Sequence, residues 1–454
     1  MELKFESKNG LLEMKSEQRS MMDQYALEYI DFLNKGRTER LCAKEAIRLA
    51  EEHGFRSFEP GMKANAGDKV YFCNRGKMLM LAYIGKENME KGINITASHI
   101  DSPRLDLKPM PLYEDADLAY MKTHYYGGIR KYQWVTIPLA LYGVVALKDG
   151  TTVDVAIGEG DDTKLVITDL LPHLSQEQNK KLLPEGINGE QLNLLVGSEP
   201  LDGEESEKVK GKILEILFER YGISEEDLIS AELEAVPATR STEIGLDRTM
   251  IGSYGHDDRV CAFAALKAML DLDEVPEKTA LCVLADKEEI GSIGVTGMKT
   301  QAFETFVEDL ALAQGASLKH CLANSFCLST DVTAAFDPNY PDAFEKRNQA
   351  QLNHGISICK YTGARGKSVA SDASAETVAY VRKIFDKAQV KWQIADMGRV
   401  DLGGGGTVAQ DMANRNIETI DAGVPVLSMH SPFEVVAKYD CYMTYLAMKA
   451  VYQG

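Results

Sequence analysis

The sequence predicts an α/β protein with a mostly parallel sheet, into which a second module is inserted. The chain of 454 residues is longer than one ordinary domain. After about residue 245, short apolar runs alternate with helical segments, which is typical of a parallel α/β sheet. The segment from about 110 to 245 has few histidines and no paired polar residues suited to chemistry. We therefore expect one domain formed by residues 1–109 and 246–454, with 110–245 as a separate, mainly structural module.

The first part of the chain begins with helical periodicity and continues with strands. Apolar side chains, among them Met22, Tyr25 and Tyr29, recur at spacings of three and four, and Gly54 is a stop signal. Beyond residue 69, short apolar or alternating runs lie between turn residues. The predicted elements are a helical stretch over 17–54 and strands over 70–72, 79–84 and 93–100.

The part after residue 245 carries the clearest α/β pattern. The run from Cys261 to Leu270 is apolar on almost all sides, which indicates a buried helix. Residues 279–284 form a continuous apolar run that indicates a buried strand. Further strands are predicted over 325–328 and 417–420, and further helices over 376–388 and 435–452.

Composition and charge exclude several classes of function. The chain has 50 Lys and Arg against 69 Asp and Glu, a net charge of −19, which argues against nucleic acid or an anionic membrane as partner. The longest stretch without charged residues, 132–147, is too short to span a bilayer. Eight cysteines are scattered without C-x-x-C spacing. They predict reduced thiols in a cytoplasmic protein.

Five segments place a histidine or a carboxylate at the predicted end of a strand or before a helix. Ligands of open α/β sheets bind beyond the carboxyl ends of the strands, so these segments could converge on one crevice. The segments are 95–103 with His99 and Asp101, 255–259 with Asp257 and Asp258, 284–291 with Glu288 and Glu289, 328–332 with Asp331, and 426–432 with His430.

Each segment by itself has an ordinary structural explanation. A single histidine such as His99 or His430 is usually hydrogen-bonded within the fold. An aspartate pair before a helix is commonly an N-cap. Adjacent glutamates commonly lie in a solvated loop, and an aspartate after a strand can form an Asx-turn. None of the five signals identifies a site alone.

Taken together, the five segments supply what a two-metal hydrolytic site requires. Two histidines and three carboxylates can hold two divalent ions when one carboxylate bridges them, and a bridged water then becomes a nucleophile near pH 7. Imidazole suits zinc, and the carboxylates also suit manganese or cobalt. Of two adjacent glutamates, one can bind metal while the other takes the proton of the water. Asp101, two residues beyond His99, can hold the other imidazole nitrogen.

In this order and spacing, the five segments resemble the aspartyl aminopeptidase and aminopeptidase I family of dinuclear zinc exopeptidases. The resemblance spans nearly the whole chain. It implies that Glu288 is the general base and that Asp101 orients the metal-binding histidine. It also implies two zinc sites that share Asp257 as the bridge, the first completed by His99 and Asp331 and the second by Glu289 and His430.

The resemblance also carries expectations for fold and assembly. It implies an α/β/α zinc-exopeptidase catalytic domain interrupted by a β-rich dimerisation domain. It implies a homo-oligomer in which dimers assemble into a tetrahedral dodecamer. Asp258 stands where the aspartyl-specific members often have Asn, so the sequence is more similar to the bacterial aminopeptidase I branch.

Three further residues are candidates on weaker signals. His173, in the inserted module, resembles the family histidine that reaches a neighbouring subunit's active site, although a surface histidine on a loop fits equally. Lys360 resembles a family lysine near the substrate pocket, and otherwise reads as an exposed lysine at a strand end. Gly404, in the run 403–406, predicts permissive backbone beside the substrate or a plain turn, since no Gly-Lys-Ser/Thr follows to make a phosphate loop.

We therefore expect a cytoplasmic metalloaminopeptidase that removes one N-terminal residue from peptides with a free N-terminus. Zinc is the expected metal, with cobalt or manganese as substitutes. Two alternatives stay open on sequence alone. One is another dinuclear amide hydrolase, such as a carboxypeptidase or an N-acyl deacylase. The other is a non-catalytic assembly protein on the same fold.

Overall fold

The computed structural model describes residues 4–160, 162–203 and 206–454. Contacts between residues divide the chain into two compact units. The first unit comprises residues 1–101, 241–429 and 434–454, and the second comprises 102–240 and 430–433. The predicted domain boundaries at 110 and 245 stay a prediction, and the contacts place the change of unit at Ser102 and Ser241.

The elements are numbered in chain order. The strands are β1 Arg56–Ser57, β2 Lys69–Asn74, β3 Met78–Tyr83, β4 Asn94–His99, β5 Arg104–Asp115, β6 Leu118–Tyr126, β7 Leu139–Ala146, β8 Thr152–Ile157, β9 Leu194–Gly197, β10 Ala231–Pro237, β11 Thr242–Ile244, β12 Met250–Ser253, β13 Ala280–Ala285, β14 Phe326–Ser329, β15 Thr333–Ala334, β16 Ile356–Cys359, β17 Trp392–Ile394, β18 Glu418–Gly423, β19 Pro425–Leu427 and β20 Glu434–Ala437. The helices are α1 Ser16–Lys35, α2 Glu39–Glu52, α3 Leu183–Gly186, α4 Lys208–Tyr221, α5 His256–Leu270, α6 Ala302–Ala313, α7 Leu318–Ala323, α8 Ala375–Lys387, α9 Ala409–Ala413 and α10 Lys438–Gln453.

A nine-stranded sheet organises the first unit. Its strand order is β1-β2-β3-β13-β4-β14-β18-β16-β17. The four central strands β13, β4, β14 and β18 are parallel to one another, while β3 and β16 run antiparallel to their neighbours β13 and β18. The predicted mostly parallel sheet is confirmed. The carboxyl ends of the central strands consequently meet at one edge.

Helices cover both faces of this sheet. Because successive side chains of a strand point in opposite directions, each strand contributes to two apolar cores, one on each face. In β13, Cys282 and Leu284 belong to an apolar core shared with α1, α2, α5, α8 and α10. Leu281 and Val283, on the opposite face, belong to a second core shared with α6, α7 and α9. The expected α/β/α architecture is confirmed. A separate five-stranded sheet of the same unit has the order β11-β12-β20-β19-β15.

The second unit is built on an antiparallel sheet. Its six strands have the order β8-β7-β10-β5-β6-β9, and each pair is antiparallel. The residues from Leu139 to Tyr142 in β7, which pairs with β8 and β10, are all buried, so both faces of that part of the sheet are covered. The β-rich character of the inserted module is therefore confirmed. Its role in dimerisation stays a prediction.

Two predicted helices are divided or shortened by local signals. The stretch 17–54 forms two helices, because the backbone of Gly36 leaves the helical conformation after its N–H has made the last bond of α1, to the carbonyl of Phe32. Thr38 then caps α2 by accepting a hydrogen bond from the N–H of Leu41. The helix predicted over 435–452 begins at Lys438, because the preceding residues pair as β20 with β12 and β19. In the part of the chain that the structure describes, no helix is long and apolar enough to cross a membrane.

Candidate metal centre

His99 is the last residue of β4 and is buried. Its Nδ1 atom lies 3.0 Å from the carbonyl oxygen of Asp101 and 3.3 Å from Oδ1 of the same residue. Because a carbonyl oxygen can only accept, Nδ1 carries the hydrogen in this contact. In the neutral imidazole the lone pair then lies on Nε2. That atom is 3.2 Å from Oδ1 of Asp257.

Asp257 and Asp258 lie at the start of α5, and both are buried. The peptide bond between them is cis, and neither residue has helical backbone angles. The main-chain N–H of Asp257 donates to Oε2 of Glu434 at 3.1 Å. The main-chain N–H of His99 donates to Oδ2 of Asp258 at 3.3 Å. The start of α5 is thus held against the end of β4.

Glu288 and Glu289 begin a short 3-10 helix, Glu288–Ile290, just beyond β13. Both main-chain N–H groups donate to the buried carboxylate of Asp101, at 3.1 Å from Glu288 and 3.2 Å from Glu289. The Oε2 atom of Glu288 lies 3.7 Å from Nε2 of His99. Asp101 therefore contacts the histidine and also fixes the loop that carries the two glutamates.

Asp331 follows β14 and completes the group. Its Oδ1 atom lies 3.9 Å from Nε2 of His99. Two sets of side chains offer ligand atoms within 4.8 Å of one another: His99 with Asp258 and Asp331, and His99 with Asp257 and Glu289. Four of the five predicted ligands thus meet at the carboxyl ends of β4, β13 and β14, together with Asp258.

Burial and mutual repulsion act on the charges of this cluster. Burial, reinforced by the charge of Asp258, raises the pKa of Asp331 well above its ordinary value. Burial likewise raises the pKa of Asp258 well above its ordinary value. For His99, burial lowers the pKa, but the carboxylates of Asp101, Asp257 and Glu288 beside the ring outweigh it and raise the pKa well above its ordinary value. The cluster therefore crowds carboxyl groups around one imidazole, where burial and mutual repulsion oppose the ionisation of all of them at once.

The residues fit a divalent metal. The Nε2 atom of His99 is buried and faces carboxylate oxygens, with Oδ1 of Asp257 at 3.2 Å, but among the residues that the structure describes it makes no hydrogen bond of good geometry. Such an atom in a native fold calls for an explanation, and an ion is one. Imidazole with several carboxylates is a donor set that zinc accepts, and a divalent ion would balance the surrounding negative charge.

His430 and His173 both belong to the second unit. The Nδ1 atom of His430 lies 2.8 Å from the carbonyl oxygen of Gly128, and the backbone of His430 has a positive φ of 63°. His173 is exposed in a turn before the short helix α3. The role of His430 as a metal ligand and that of His173 as a contributor to a neighbouring site stay predictions.

A cavity of about 170 Å³ within the first unit adjoins this cluster at Asp331. Its lining includes Asp331, Cys359 and Gly404. Gly404 has a φ of 111°, and a methyl group placed on its Cα would lie 2.0 Å from the carbonyl oxygen of Gly363, so only glycine fits there. Lys360 forms an ion pair of 2.6 Å with Asp372. The predicted substrate contacts of Gly404 and Lys360 are not tested by these observations.

Two features of the structure do not follow from the sequence. The sequence predicts no ligand role for Asp258, yet its carboxylate accepts from the His99 main chain and lies in one of the two donor sets. The sequence likewise does not predict the pairing of Lys360 with Asp372. Asp372 lies twelve residues further along an irregular loop. No local pattern connects these two positions.

An α/β unit that brings a buried histidine and carboxylates together at the ends of parallel strands is typical of metalloenzymes, and comparison with known proteins identifies the family. Residues 32–452 match the Peptidase M18 family, described as aminopeptidase I zinc metalloprotease. A probable M18 family aminopeptidase 1 from Clostridium acetobutylicum is 50% identical over 442 residues, 95% of each chain. The crystal structure of an M18-family aminopeptidase from Thermotoga maritima has a TM-score of 0.94 at 43% identity and covers 99% of this chain and 100% of its own. That of aminopeptidase I from Clostridium acetobutylicum has a TM-score of 0.92 at 45% identity and covers both chains completely.

The chain belongs to the M18 family of aminopeptidase I zinc metalloproteases. The predicted family, the predicted fold class and the prediction of a metalloaminopeptidase are thereby confirmed. The other amide hydrolases and the non-catalytic assembly protein are not favoured.

Proposed function

We propose that this aminopeptidase uses two zinc ions per subunit to remove one residue from peptides with a free N-terminus. The observation that carries the proposal is the convergence of His99 with Asp257, Asp331 and the Glu288–Glu289 pair at one edge of the parallel sheet. A histidine and carboxylates that meet within a few ångströms, from four separate segments, suit a hydrolytic metal site better than a purely structural one.

In this proposal some residues would bind metal and others would carry protons. Asp257 would be a ligand shared by the two metal sites, with His99 and Asp331 as further ligands of the first site and Glu289 and His430 of the second. Bound zinc would polarise the scissile carbonyl and lower the pKa of the attacking water.

Glu288 acts as general base and later returns the proton to the leaving amine. Its carboxylate lies near His99, and its main chain is fixed by Asp101, which limits the positions it can adopt. Asp101 itself holds Nδ1 of His99, so that Nε2 faces the ligand carboxylates. His173 of a neighbouring subunit contributes a hydrogen bond to the developing oxyanion.

The cavity beside Asp331 is proposed to receive part of the substrate. The first residue of the peptide carries its side chain next to the carbonyl that is attacked, so a cavity lined by a metal ligand is within its reach. Gly404 brings main chain to this cavity. Lys360 is proposed as a substrate contact, with its charge balanced by Asp372.

The proposed assembly is a homo-oligomer in which dimers, formed through the inserted unit, build a tetrahedral dodecamer. Support comes from the family resemblance and from exposed leucines near His173, because exposed apolar side chains concentrated in one segment commonly mark an interface. Leu170, Leu171 and Leu174 are each about half exposed or more. The proposed location is the cytoplasm, in keeping with eight cysteines that form no disulfides.

A panel of aminoacyl-4-nitroanilides, with N-acetylated counterparts, tests the proposed function. The enzyme is assayed with zinc, cobalt or manganese, and after removal of metal by a chelator. We expect hydrolysis of the unblocked substrates only, lost with the chelator and restored by metal. Cleavage of the acetylated substrates alone, or of C-terminal residues from peptides, would identify another amide hydrolase. No hydrolysis with any metal would identify a non-catalytic protein.

A further inference from the structure

Gly423, the last residue of β18, approaches the main chain of Asp331 more closely than any side chain would allow. A methyl group placed on its Cα would lie 1.8 Å from the carbonyl oxygen of Asp331, 2.7 Å from its carbonyl carbon and 3.2 Å from its nitrogen. The contact follows from the sheet register, because Ser329 of β14 pairs with Asp421 of β18. Gly423 lies two residues beyond Asp421 at the end of β18, and Asp331 lies two residues beyond Ser329, just past the end of β14.

The opposite side of the Asp331 segment is held by the strand that carries His99. The main-chain N–H of Thr330 donates to the carbonyl of Ala97 at 2.7 Å, and the hydroxyl groups of Thr330 and Ser98 are hydrogen-bonded at 2.5 Å. Ala97 and Ser98 precede His99 in β4. The segment that presents Asp331 is therefore enclosed between β4, which carries one donor, and the end of β18.

From this enclosure we infer that Gly423 is a positioning residue for the metal centre, since the absence of a side chain there sets the distance between Asp331 and His99. The inference rests on the proposed function, in which both residues are ligands. It adds to that proposal a residue that carries no ligand atom.

The distance that the main chain must move to accept alanine at position 423 determines how strongly zinc binding would be affected. Contacts of a Cβ atom below 3.0 Å essentially never occur, so alanine at 423 requires the two segments to separate by at least about 1.2 Å. The colliding atoms belong to the main chain, so no side-chain rotation can relieve the contact. Metal–ligand distances tolerate only about 0.2 Å. The displacement therefore exceeds what the coordination of one ion can absorb.

Gly423→Ala is compared with a matched control, Gly85→Ala. A methyl group at Gly85 would lie 2.4 Å from the carbonyl carbon of Lys278, which is also a contact with main chain, although the overlap is smaller than at Gly423. Gly85 follows β3 and lies beside the start of β13, at the opposite end of the strands from the metal centre. Zinc affinity is measured on the complete protein by competition with a chromophoric chelator, and folding by circular dichroism and thermal unfolding.

We expect Gly423→Ala to fold and to bind zinc at least tenfold more weakly than the wild type, with activity partly recovered in excess zinc. We expect Gly85→Ala to lose thermal stability but to keep wild-type zinc affinity. In an Asp331→Ala background, Gly423→Ala should weaken zinc binding no further, because its effect passes through that ligand.

Three outcomes would overturn the inference. Wild-type zinc affinity in a folded Gly423→Ala would remove the positioning role. If Gly423→Ala is unfolded while Gly85→Ala is folded, Gly423 is required for the fold as a whole rather than for the metal centre. A wild-type protein that binds no zinc and hydrolyses no aminoacyl substrate would overturn the proposed function, and the inference with it. The first two outcomes leave the proposed function intact.

Discussion

The main-chain N–H of Glu288 donates a hydrogen bond to Oδ1 of Asp101, with a distance of 3.1 Å between the two atoms. Asp101 is fully buried, and its other carboxylate oxygen accepts from the next N–H in the same turn. The residue that faces Nδ1 of His99 consequently also sets the position of the proposed general base. One carboxylate couples two functional segments that are separated by almost 190 residues.

Replacement of Asp101 by Asn should therefore impair metal binding and catalysis together. The amide nitrogen cannot accept from a main-chain N–H, so one of the two bonds to the Glu288 turn is lost. We expect zinc affinity and turnover to fall by about 10- to 100-fold, as for other residues that orient metal ligands. Asp31→Asn, at an exposed surface ion pair, is the control. Unchanged zinc affinity in Asp101→Asn would contradict the orienting role.

Glu288→Gln should separate chemistry from metal binding. The amide cannot take a proton at neutral pH, so turnover should fall by about 100-fold or more while the fold and metal content stay intact. Glu308→Gln, on an exposed face of α6, serves as the control. Turnover is measured on the purified, metal-saturated proteins. Wild-type turnover in Glu288→Gln would show that another group is the base.

Metal analysis distinguishes a bridging ligand from one that serves a single ion. Asp257→Ala should lose both zinc ions, because a bridging carboxylate contacts both, whereas His430→Ala should weaken mainly one. His320→Ala, an exposed histidine paired with Glu90, should keep the wild-type content. Zinc per chain is measured after gel filtration. Two full equivalents in Asp257→Ala would exclude the bridge.

The proposed role of His173 predicts complementation between inactive subunits. His173→Ala and Glu288→Gln should each be nearly inactive alone, because each change affects every site. Reassembled in one oligomer, they should recover part of the wild-type rate, since some sites would combine an intact Glu288 with an intact His173 from a neighbour. If His173→Ala is active by itself, His173 is a surface histidine without a catalytic role. No recovery on mixing would place His173 in its own subunit's site or fold.

Asp440 should make stability decrease as the pH rises. Burial raises its pKa to about 8, although main-chain N–H groups of Asn353, His354 and Gly355 oppose this rise. The folded state thus keeps a proton that the unfolded state releases above its ordinary pKa of 3.8. The contribution of Asp440 to the free energy of unfolding is therefore fully present below pH 3.8. It decreases as the pH rises from there through about 8, where Asp440 ionises in the folded state, by about 1.4 kcal/mol per pH unit.

Chemical denaturation of Asp440→Asn between pH 5 and 8 checks this expectation. The free energy of unfolding of the variant should depend less steeply on pH than that of the wild type. Asp273→Asn, at a side chain that is 94% exposed, should keep the wild-type slope. Equal slopes for wild type and Asp440→Asn would show that Asp440 is charged in the folded state.

Some features of this protein were determined by the sequence itself, because they depend on neighbouring residues only. Apolar periodicity and turn residues located the central strands to within one or two residues, as for β4 and β13. The positions of His99 and Glu288 at strand ends followed from those boundaries. The sequence also shows directly that Glu288 and Glu289 are adjacent and that Asp101 lies two residues beyond His99.

Other features were decided only by tertiary structure, because they depend on which distant segments become neighbours. Asp258 joins His99 and Asp331 only because the start of α5 packs against the end of β4. The contact of Gly423 with Asp331 exists only in the register that aligns β18 with β14. Register and packing minimise the free energy of the whole sheet, and no local pattern of residues reports their result.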